Sequence, residues 1–261
     1  MTGVQIPSKK NKLGFPLEYT KLAEFYDILS QGSDNSTINK ILRKYKVKTV
    51  LDLTCGTGAQ SLWLAKHGYQ VVGIDISPKL LKIAKDKAKK EKIDCTLLKG
   101  DMRTLLVGKF DAAISMFNAI GHLTKADFEM ALKNVYANLR ERGLYVFDIF
   151  NLDAMNDDAV NNLAMDLRKE VNDITIRNVQ YSELDKKKGR LTSYDQFTIQ
   201  KGTNKPEILE GKFTLQLYSA QELKEILNKN GFETLGQYGM DGSIFVKQRT
   251  LNILTVARRC K

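Results

Sequence analysis

The most informative stretch of this sequence is Val50-Leu51-Asp52-Leu53-Thr54-Cys55-Gly56-Thr57-Gly58. Its apolar first half predicts a buried strand, and the residues after Gly58 have the spacing of a helix. Gly56 and Gly58 carry no Cβ atom, so the chain between the two elements can turn tightly and approach a ligand closely. The free N–H groups at the start of such a helix favour a negative group. The stretch therefore predicts a ligand-binding loop, with an ordinary strand-to-helix turn as the alternative.

Strands and helices alternate on both sides of this loop. We predict strands over residues 49–53, 69–75, 95–98, 110–116 and 144–149, and helices over 58–67, 77–91 and 125–140. Strands that follow one another with a helix between them form a parallel sheet with right-handed crossovers. The fold class is therefore α/β, with a Rossmann-like, doubly wound sheet.

Different patterns flank this alternation. The N-terminal part predicts helices over 17–29 and 37–45, and residues 152–172 are polar and partly helical. Three alternating segments (174–181, 190–200 and 208–217) predict an antiparallel meander, and a capping box at Ser219–Glu222 opens another helix before two last strands over 232–238 and 249–257. We divide the chain into a helical arm or lid (1–45), a main domain (46–151 and 218–261) and an antiparallel β insert over the substrate (152–217).

Two acidic residues follow the next strands of the predicted sheet. Asp75 lies 17 residues after the last glycine of the loop, where a carboxylate can accept both ribose hydroxyls of an adenosine ligand. After the third strand, Asp101 can accept from an adenine amino group and the Met102 N–H can donate to a ring nitrogen. We expect these groups to converge on one adenosine-shaped slot. A fingerprint for NAD would need a third glycine where this chain has Ser61.

With these features the chain resembles, over residues 45–150 and 218–258, the class I methyltransferases that use S-adenosylmethionine (SAM). The family's loop usually reads Asp-x-Gly-x-Gly-x-Gly, and here Thr54 stands at the first glycine. The resemblance implies a seven-stranded, mostly parallel sheet that ends in an antiparallel hairpin, and SAM as the cofactor. The residues it implies for SAM are Asp52, Thr54, Gly56 and Gly58 for the methionine part, Asp75 and Ile76 for the ribose, Asp101 and Met102 for the adenine, Phe117 after strand four, and Tyr26 from an aromatic helix over the cofactor. Core packing is the alternative for Tyr26.

The loop after the fourth strand reads Ser115-Met116-Phe117-Asn118-Ala119-Ile120-Gly121-His122-Leu123. Asn118 and His122 are polar residues in an apolar stretch at the carboxyl edge of the sheet, so we predict that they are catalytic and orient the acceptor. The pattern Asn-x-x-Gly-His-Leu resembles the glycine and sarcosine N-methyltransferases, which implies a small-molecule amine as the acceptor. A capping or structural histidine is the alternative for His122.

Charge and cysteine content bear on the other function classes. The net charge of +11 leaves open an RNA or protein acceptor, although lysines around one predicted helix (82–92) favour simple surface solvation. Three widely spaced cysteines predict no disulfide framework, no metal site and a reducing, cytoplasmic setting. No apolar run has the length of a membrane span, so we expect no membrane partner. A non-catalytic SAM-binding module and an NAD-dependent oxidoreductase remain as alternatives.

Overall fold

Seven strands form the main sheet within residues 12–30 and 35–261, the ranges that the computed structural model describes. These strands are β1 (Thr49–Asp52), β2 (Gln70–Asp75), β3 (Thr96–Lys99), β4 (Phe110–Ser115), β5 (Leu139–Phe150), β10 (Phe232–Tyr238) and β11 (Asn252–Arg259). Their order is β10-β11-β5-β4-β1-β2-β3, and only the pairs that involve β11 are antiparallel. The predicted α/β class, the mostly parallel sheet and the C-terminal hairpin are confirmed.

Helices connect the parallel strands. The α-helices are α1 (Tyr26–Leu29), α2 (Ser36–Lys44), α3 (Ala59–Lys66), α4 (Pro78–Lys90), α5 (Lys125–Asn138), α6 (Asp157–Asn162) and α7 (Ala220–Lys229). Within the described ranges no helix is long and apolar enough to cross a membrane. The order of the strands reverses between β1 and β4, which are neighbours in the sheet. The loops after these two strands therefore diverge and leave a crevice at the carboxyl edge.

Apolar side chains cover both faces of the sheet. Along β5, Tyr145 and Phe147 pack on one face, and Leu144 and Val146 pack on the other. This alternation is the period of two that a strand imposes on its side chains, and all four residues are at most 2% exposed. A strand that is buried on both faces reads as a continuous apolar run, which is why the sequence predicts it well.

The insert forms a second sheet of four strands. They are β6 (Ala164–Val171), β7 (Ile174–Asp185), β8 (Arg190–Lys201) and β9 (Glu207–Gln216), paired in that order as an antiparallel meander. The sequence predicted three of them. It missed β6 because this edge strand is exposed along most of its length, so it carries no alternation of buried and exposed residues.

Several predicted boundaries are wrong, among them the last strand, which runs over Asn252–Arg259 and not 249–257, and the first insert strand, which continues to Asp185. The helix expected over 17–29 is divided into 3₁₀ turns at Leu17–Tyr19 and Ala23–Phe25, followed by α1. The carbonyl of Tyr19 accepts a hydrogen bond from the Ser77 hydroxyl at 2.9 Å, a tertiary contact that takes the place of a helical bond. Helix α5 also ends before Arg140, because β5 already begins at Leu139 and Gly143 lies inside that strand. The part of the predicted arm at 1–11, and the polar break at 31–34, lie outside the described residues.

Candidate active site

One cavity of about 650 Å³ opens at the carboxyl ends of β1, β2 and β4. This volume is within the range of small-molecule sites. Nine of the twelve residues predicted from the sequence line it: Tyr26, Thr54, Gly56, Asp75, Ile76, Asp101, Met102, Phe117 and His122. The other three, Asp52, Gly58 and Asn118, lie outside the lining and act on the cavity through their neighbours, as described below.

Asp75 is held against the loop of residues 54–58, called the glycine loop, by backbone hydrogen bonds. Its Oδ2 accepts from the Gly56 N–H at 2.8 Å, and its Oδ1 accepts from the Ser77 N–H at 2.7 Å. Burial raises the pKa of this carboxyl, and the backbone N–H groups of Ser77, Gly56 and Ile76 partly offset that rise. A carboxylate has about four acceptor positions, so the Asp75 carboxylate can accept from a further donor. Asp75 is therefore both an anchor of the loop and a possible acceptor for ligand hydroxyls.

Asp52 is buried beside the glycine loop and is joined to it by a hydrogen bond. Its carboxylate accepts from the Ser61 hydroxyl at 2.7 Å and from the Thr54 N–H at 3.3 Å. Burial raises the pKa of Asp52 to about 7. Gly58 also faces the protein interior, since a Cβ atom there would lie 3.0 Å from the Leu62 side chain. These two residues shape the binding loop without lining the cavity.

The carboxylate of Asp101 is occupied by a neighbouring arginine. Arg103 binds both oxygens of Asp101, with Nη2 at 2.6 Å from Oδ2, and places Nη1 at 3.0 Å from Asp127. Met102 is fixed beside it, because its carbonyl accepts from the Asn134 amide at 2.9 Å. The Asp101 carboxylate, which we expected to be free to accept from an adenine amino group, is therefore in an ion pair. Met102 lies next to it.

The loop after β4 begins with two residues in the left-handed conformation. Phe117 has φ 63° and Asn118 has φ 57°, which is uncommon for residues other than glycine. Asp148 accepts from the N–H groups of both, at 2.6 Å and 3.2 Å. The Asn118 side-chain oxygen accepts from the Phe150 N–H at 2.7 Å. Asn118 thus ties the loop to β5, while Phe117 lines the cavity.

His122 lies in the cavity wall among aromatic rings. Its ring centroid is 5.3 Å from Tyr19, 5.8 Å from Phe15 and 6.0 Å from Phe213. Burial lowers the pKa of His122 to about 4, so the ring is neutral at pH 7. Its Nδ1 is buried without a hydrogen-bond partner. A buried polar atom without a partner is costly, and it is satisfied when a ligand supplies the missing group.

The N-terminal segment, residues 12–30, forms one side of the cavity. Asp27, in α1, accepts from the Thr57 hydroxyl of the glycine loop at 2.6 Å and pairs with Lys87 of α4. Tyr26 precedes it and lines the cavity, with its ring 5.8 Å from that of Tyr19. The segment is therefore fastened directly to the loop that it covers.

Comparisons with known proteins agree with this geometry. Residues 50–143 match the family described as a methyltransferase domain. Human glycine N-methyltransferase is 33% identical over 130 residues, which are 43% of this chain and 44% of the human protein. A SAM-dependent methyltransferase structure from Clostridium acetobutylicum superposes with a TM-score of 0.77 at 18% identity, covering 93% of this chain and 99% of the other. Residues 50–143 therefore form a methyltransferase domain.

Other relatives of this methyltransferase differ in the extent of the match. An uncharacterised protein of Methanocaldococcus jannaschii is 27% identical over 236 residues, which cover 88% of this chain and 80% of that protein. For several other curated relatives the chain matches less than two thirds of their length, such as 63% of a putative Geobacillus methyltransferase. A sugar N-methyltransferase structure from Streptoalloteichus has a TM-score of 0.75 at 18% identity and covers 100% of this chain and 99% of the other. At this identity the likeness concerns the fold.

Sequence reasoning missed several residues of the methyltransferase site. Arg103, Asp148, Phe15 and Tyr19 all line the cavity or hold a residue that does. One signal was available for Asp148, which is the single charged residue in the apolar run from 144 to 149. The aromatic residues had no such signal, because Phe15 and Tyr19 meet His122 only through contacts across about 100 residues of chain.

Proposed function

We propose that this methyltransferase transfers the methyl group of SAM to a nitrogen atom of a small-molecule amine. The observation that carries the proposal is His122, a neutral imidazole in the wall of the same cavity as Asp75 and the glycine loop. Resemblance to the loop of the glycine and sarcosine enzymes supports an amine, as does the similarity to human glycine N-methyltransferase.

The residues that line the cavity fit SAM as the methyl donor. Asp75 lines the cavity with a carboxylate, which suits ribose hydroxyls, and Ile76 lies beside it. We assign the methionine end to Thr54 and Gly56, shaped from behind by Asp52 and Gly58. The adenine end belongs to Met102, beside the ion pair of Asp101 and Arg103, with Tyr26 and Phe117 as further lining residues. SAM supplies a methyl group that is activated by its bond to a positively charged sulfur.

The chemistry requires little from the protein beyond positioning. The amine nitrogen forms a bond to the methyl carbon, the carbon–sulfur bond breaks with its electron pair left on sulfur, and the nitrogen loses one proton. The leaving group is neutral, so no acid is needed. Holding two reactants in line and excluding water can supply about 7–11 kcal/mol. The walls of the cavity provide this confinement.

His122 orients the acceptor in this proposal. With its ring proton on one nitrogen, the neutral imidazole can accept an N–H of the amine at the other. This contact leaves the nitrogen lone pair free to face the methyl group. Because its pKa is about 4, His122 does not retain a proton at pH 7, and the released proton passes to solvent. Asn118 contributes by holding the loop, since its side-chain oxygen is bonded to β5.

The two histidines of the chain offer a matched test. We expect His122→Phe to lower kcat/KM for amine methylation by roughly ten- to a hundredfold, the effect of about 1–3 kcal/mol for one lost hydrogen bond to the reacting group. The affinity for SAM, measured by calorimetry, should remain within about twofold. His67 is exposed and stacks on Trp63, so His67→Phe should keep full activity. Equal rates for both variants, with mass spectrometry as the product assay, would exclude His122 from the reaction.

The net charge of +11 favours one further candidate, a methyltransferase that acts on RNA or protein. A steep salt dependence of RNA binding, together with methylation of RNA, would support it over the amine proposal. SAM binding without turnover on any acceptor would favour a non-catalytic module.

A further inference from the structure

We infer that the amine acceptor has an apolar body and carries no carboxylate or other anionic group. This inference rests on the proposed function and narrows the class of acceptor. It follows from the aromatic wall around His122 and from the charges that face the cavity. The aromatic wall consists of Phe15, Tyr19 and His122, which line the cavity, and of Phe213, which contacts His122 from outside the lining.

The aromatic wall is assembled from three separate parts of the chain. Phe15 and Tyr19 belong to the N-terminal segment, His122 to the 3₁₀ turn Ala119–His122, and Phe213 to strand β9 of the insert. Met116 and Leu123 extend the apolar surface within the cavity. An apolar group buried here gains about 25 cal/mol per Å² of surface, whereas an unpaired carboxylate pays a large desolvation cost.

Among the charged residues of the lining, carboxylates outnumber cations. Asp27, Asp75, Asp101 and Asp127 line the cavity together with the cations Lys79 and Arg103, and Lys87 pairs with Asp27 from outside the lining. Arg103 is already bound by Asp101 and Asp127, so two carboxylates balance its single charge. Lys79 is exposed on the first turn of α4, next to the residues assigned to the ribose. Among the residues that the structure describes, Lys79 is therefore the one cation of the cavity lining without a carboxylate partner.

The carboxylates around the cavity also affect the pKa of two tyrosine hydroxyls, those of Tyr19 and Tyr26. Burial raises the pKa of Tyr19, and the neighbouring Tyr26, Asp75 and Glu18 raise it further. Burial also raises the pKa of Tyr26 to about 12, with Asp75 and Glu18 again among the causes. A cation, such as a protonated amine, is attracted into this field, and an anion is repelled.

Amino acids are consequently poor acceptors for this site, and the amines that remain after loss of their carboxyl group are good ones. The reaction class that supplies such a substrate is the decarboxylation of an apolar amino acid. The acceptor therefore differs from glycine, for which the human relative is named.

Pairs of molecules that differ only by the carboxylate test the inference. We would assay methylation of phenethylamine against phenylalanine, tyramine against tyrosine, and isoamylamine against leucine, with glucosamine as a polar amine, and detect the products by mass spectrometry. We expect kcat/KM to favour the amine at least tenfold in the pairs that react. Equal or faster reaction of the amino acids would overturn the inference and leave the proposed function intact. Methylation of glucosamine but of none of the apolar amines would also overturn the inference and leave the proposed function intact. If the SAM-bound protein methylates none of these amines, both the inference and the proposed function are contradicted.

A positive charge placed in the cavity lining provides a second test. Leu123→Arg adds a cation to the cavity lining, and Leu106→Arg adds one at an exposed position outside it. We expect only Leu123→Arg to shift the preference towards the amino acid of a pair, by about tenfold or more. The melting temperature and the affinity for SAM identify a variant that has lost its fold. A folded, SAM-binding Leu123→Arg protein with an unchanged preference would contradict the electrostatic argument.

Discussion

At the scale of single residues, one carboxylate holds the turn that presents Phe117 to the cavity. The left-handed conformation costs a residue with a side chain about 1–2 kcal/mol, and here two consecutive residues adopt it. Asp148 compensates by accepting from both N–H groups of the turn. Strain of this kind persists only where the surroundings determine the conformation. Asp148 is therefore a positioning residue that acts through Phe117 and Asn118.

We predict that Asp148→Asn weakens SAM binding about tenfold and lowers the free energy of unfolding by about 1–3 kcal/mol. The reason is that an amide offers one acceptor atom where the turn requires two, so one buried N–H loses its partner. Calorimetry with SAM and urea unfolding measure the two effects. Asp166→Asn, which removes a carboxylate from an exposed ion pair of the insert, serves as the control and should change neither. Unchanged SAM affinity in Asp148→Asn would mean that the turn does not shape the cofactor site.

At the scale of elements, helix α3 lies between two glycines that adopt almost the same backbone conformation. Gly58 precedes the helix with φ 88°, and Gly68 follows it with φ 89°. A Cβ atom at Gly58 would lie 3.0 Å from Leu62 and 3.2 Å from Ala84, whereas at Gly68 it would meet nothing within 4 Å. The two positions therefore share the conformational strain of a substitution and differ in the space available.

This difference makes the two alanine variants a matched pair. We predict that Gly68→Ala lowers the free energy of unfolding by about 1 kcal/mol, the cost of the left-handed conformation. Gly58→Ala should lose about 2–4 kcal/mol, because crowding against α4 adds to that cost. Denaturation in urea measures both, and the affinity for SAM should fall only in Gly58→Ala. Equal losses of stability would show that the tight packing behind the loop has no energetic weight.

The N-terminal segment is an element whose position depends on three distant contacts. The Leu13 carbonyl accepts from the Thr214 N–H of β9 at 2.6 Å, Tyr19 accepts from Ser77, and Asp27 accepts from Thr57. The segment thus joins the insert to the glycine loop and α4. Its role as a lid remains a prediction, as does the division of the chain into arm, main domain and insert.

At the scale of the whole molecule, burial shifts the pKa of several groups in opposite directions. The pKa of Asp52 and of Glu18 is raised to about 7, and that of Asp148 to about 6. The pKa of His122 is lowered to about 4. Between pH 4 and 7 the folded protein retains protons on these carboxyls that the unfolded chain has lost. The unfolded chain, in turn, binds a proton on His122 that the folded protein does not.

The carboxyls outnumber the histidine, so the folded protein binds more protons than the unfolded chain in this range. Stability therefore falls as the pH rises through it. We predict that the free energy of unfolding in urea is greater at pH 5.5 than at pH 7.5, by roughly 1–3 kcal/mol. His122→Phe should enlarge the difference, because it removes the opposing term. A protein that is more stable at pH 7.5 than at pH 5.5 would contradict this account.

The sequence by itself determined the sheet, the binding loop and the acidic residue after β2. These features depend on short-range rules: alternation sets the strands, a missing Cβ atom allows the tight loop at Gly56, and parallel strands bring their carboxyl ends to one edge. Asp75 and the glycine loop meet as expected because they end neighbouring strands, and the hydrogen bond between Asp75 and Gly56 joins them.

Only the tertiary structure decided which side chains complete the site. Arg103 takes the carboxylate of Asp101, Asp148 holds the turn before His122, and the rings of Phe15 and Phe213 reach His122 from opposite ends of the chain. Such contacts depend on how whole elements pack, and no local pattern encodes them. The N-terminal helix was mispredicted for the same reason, since a contact with Ser77 58 residues away outweighed the local preference for a continuous helix.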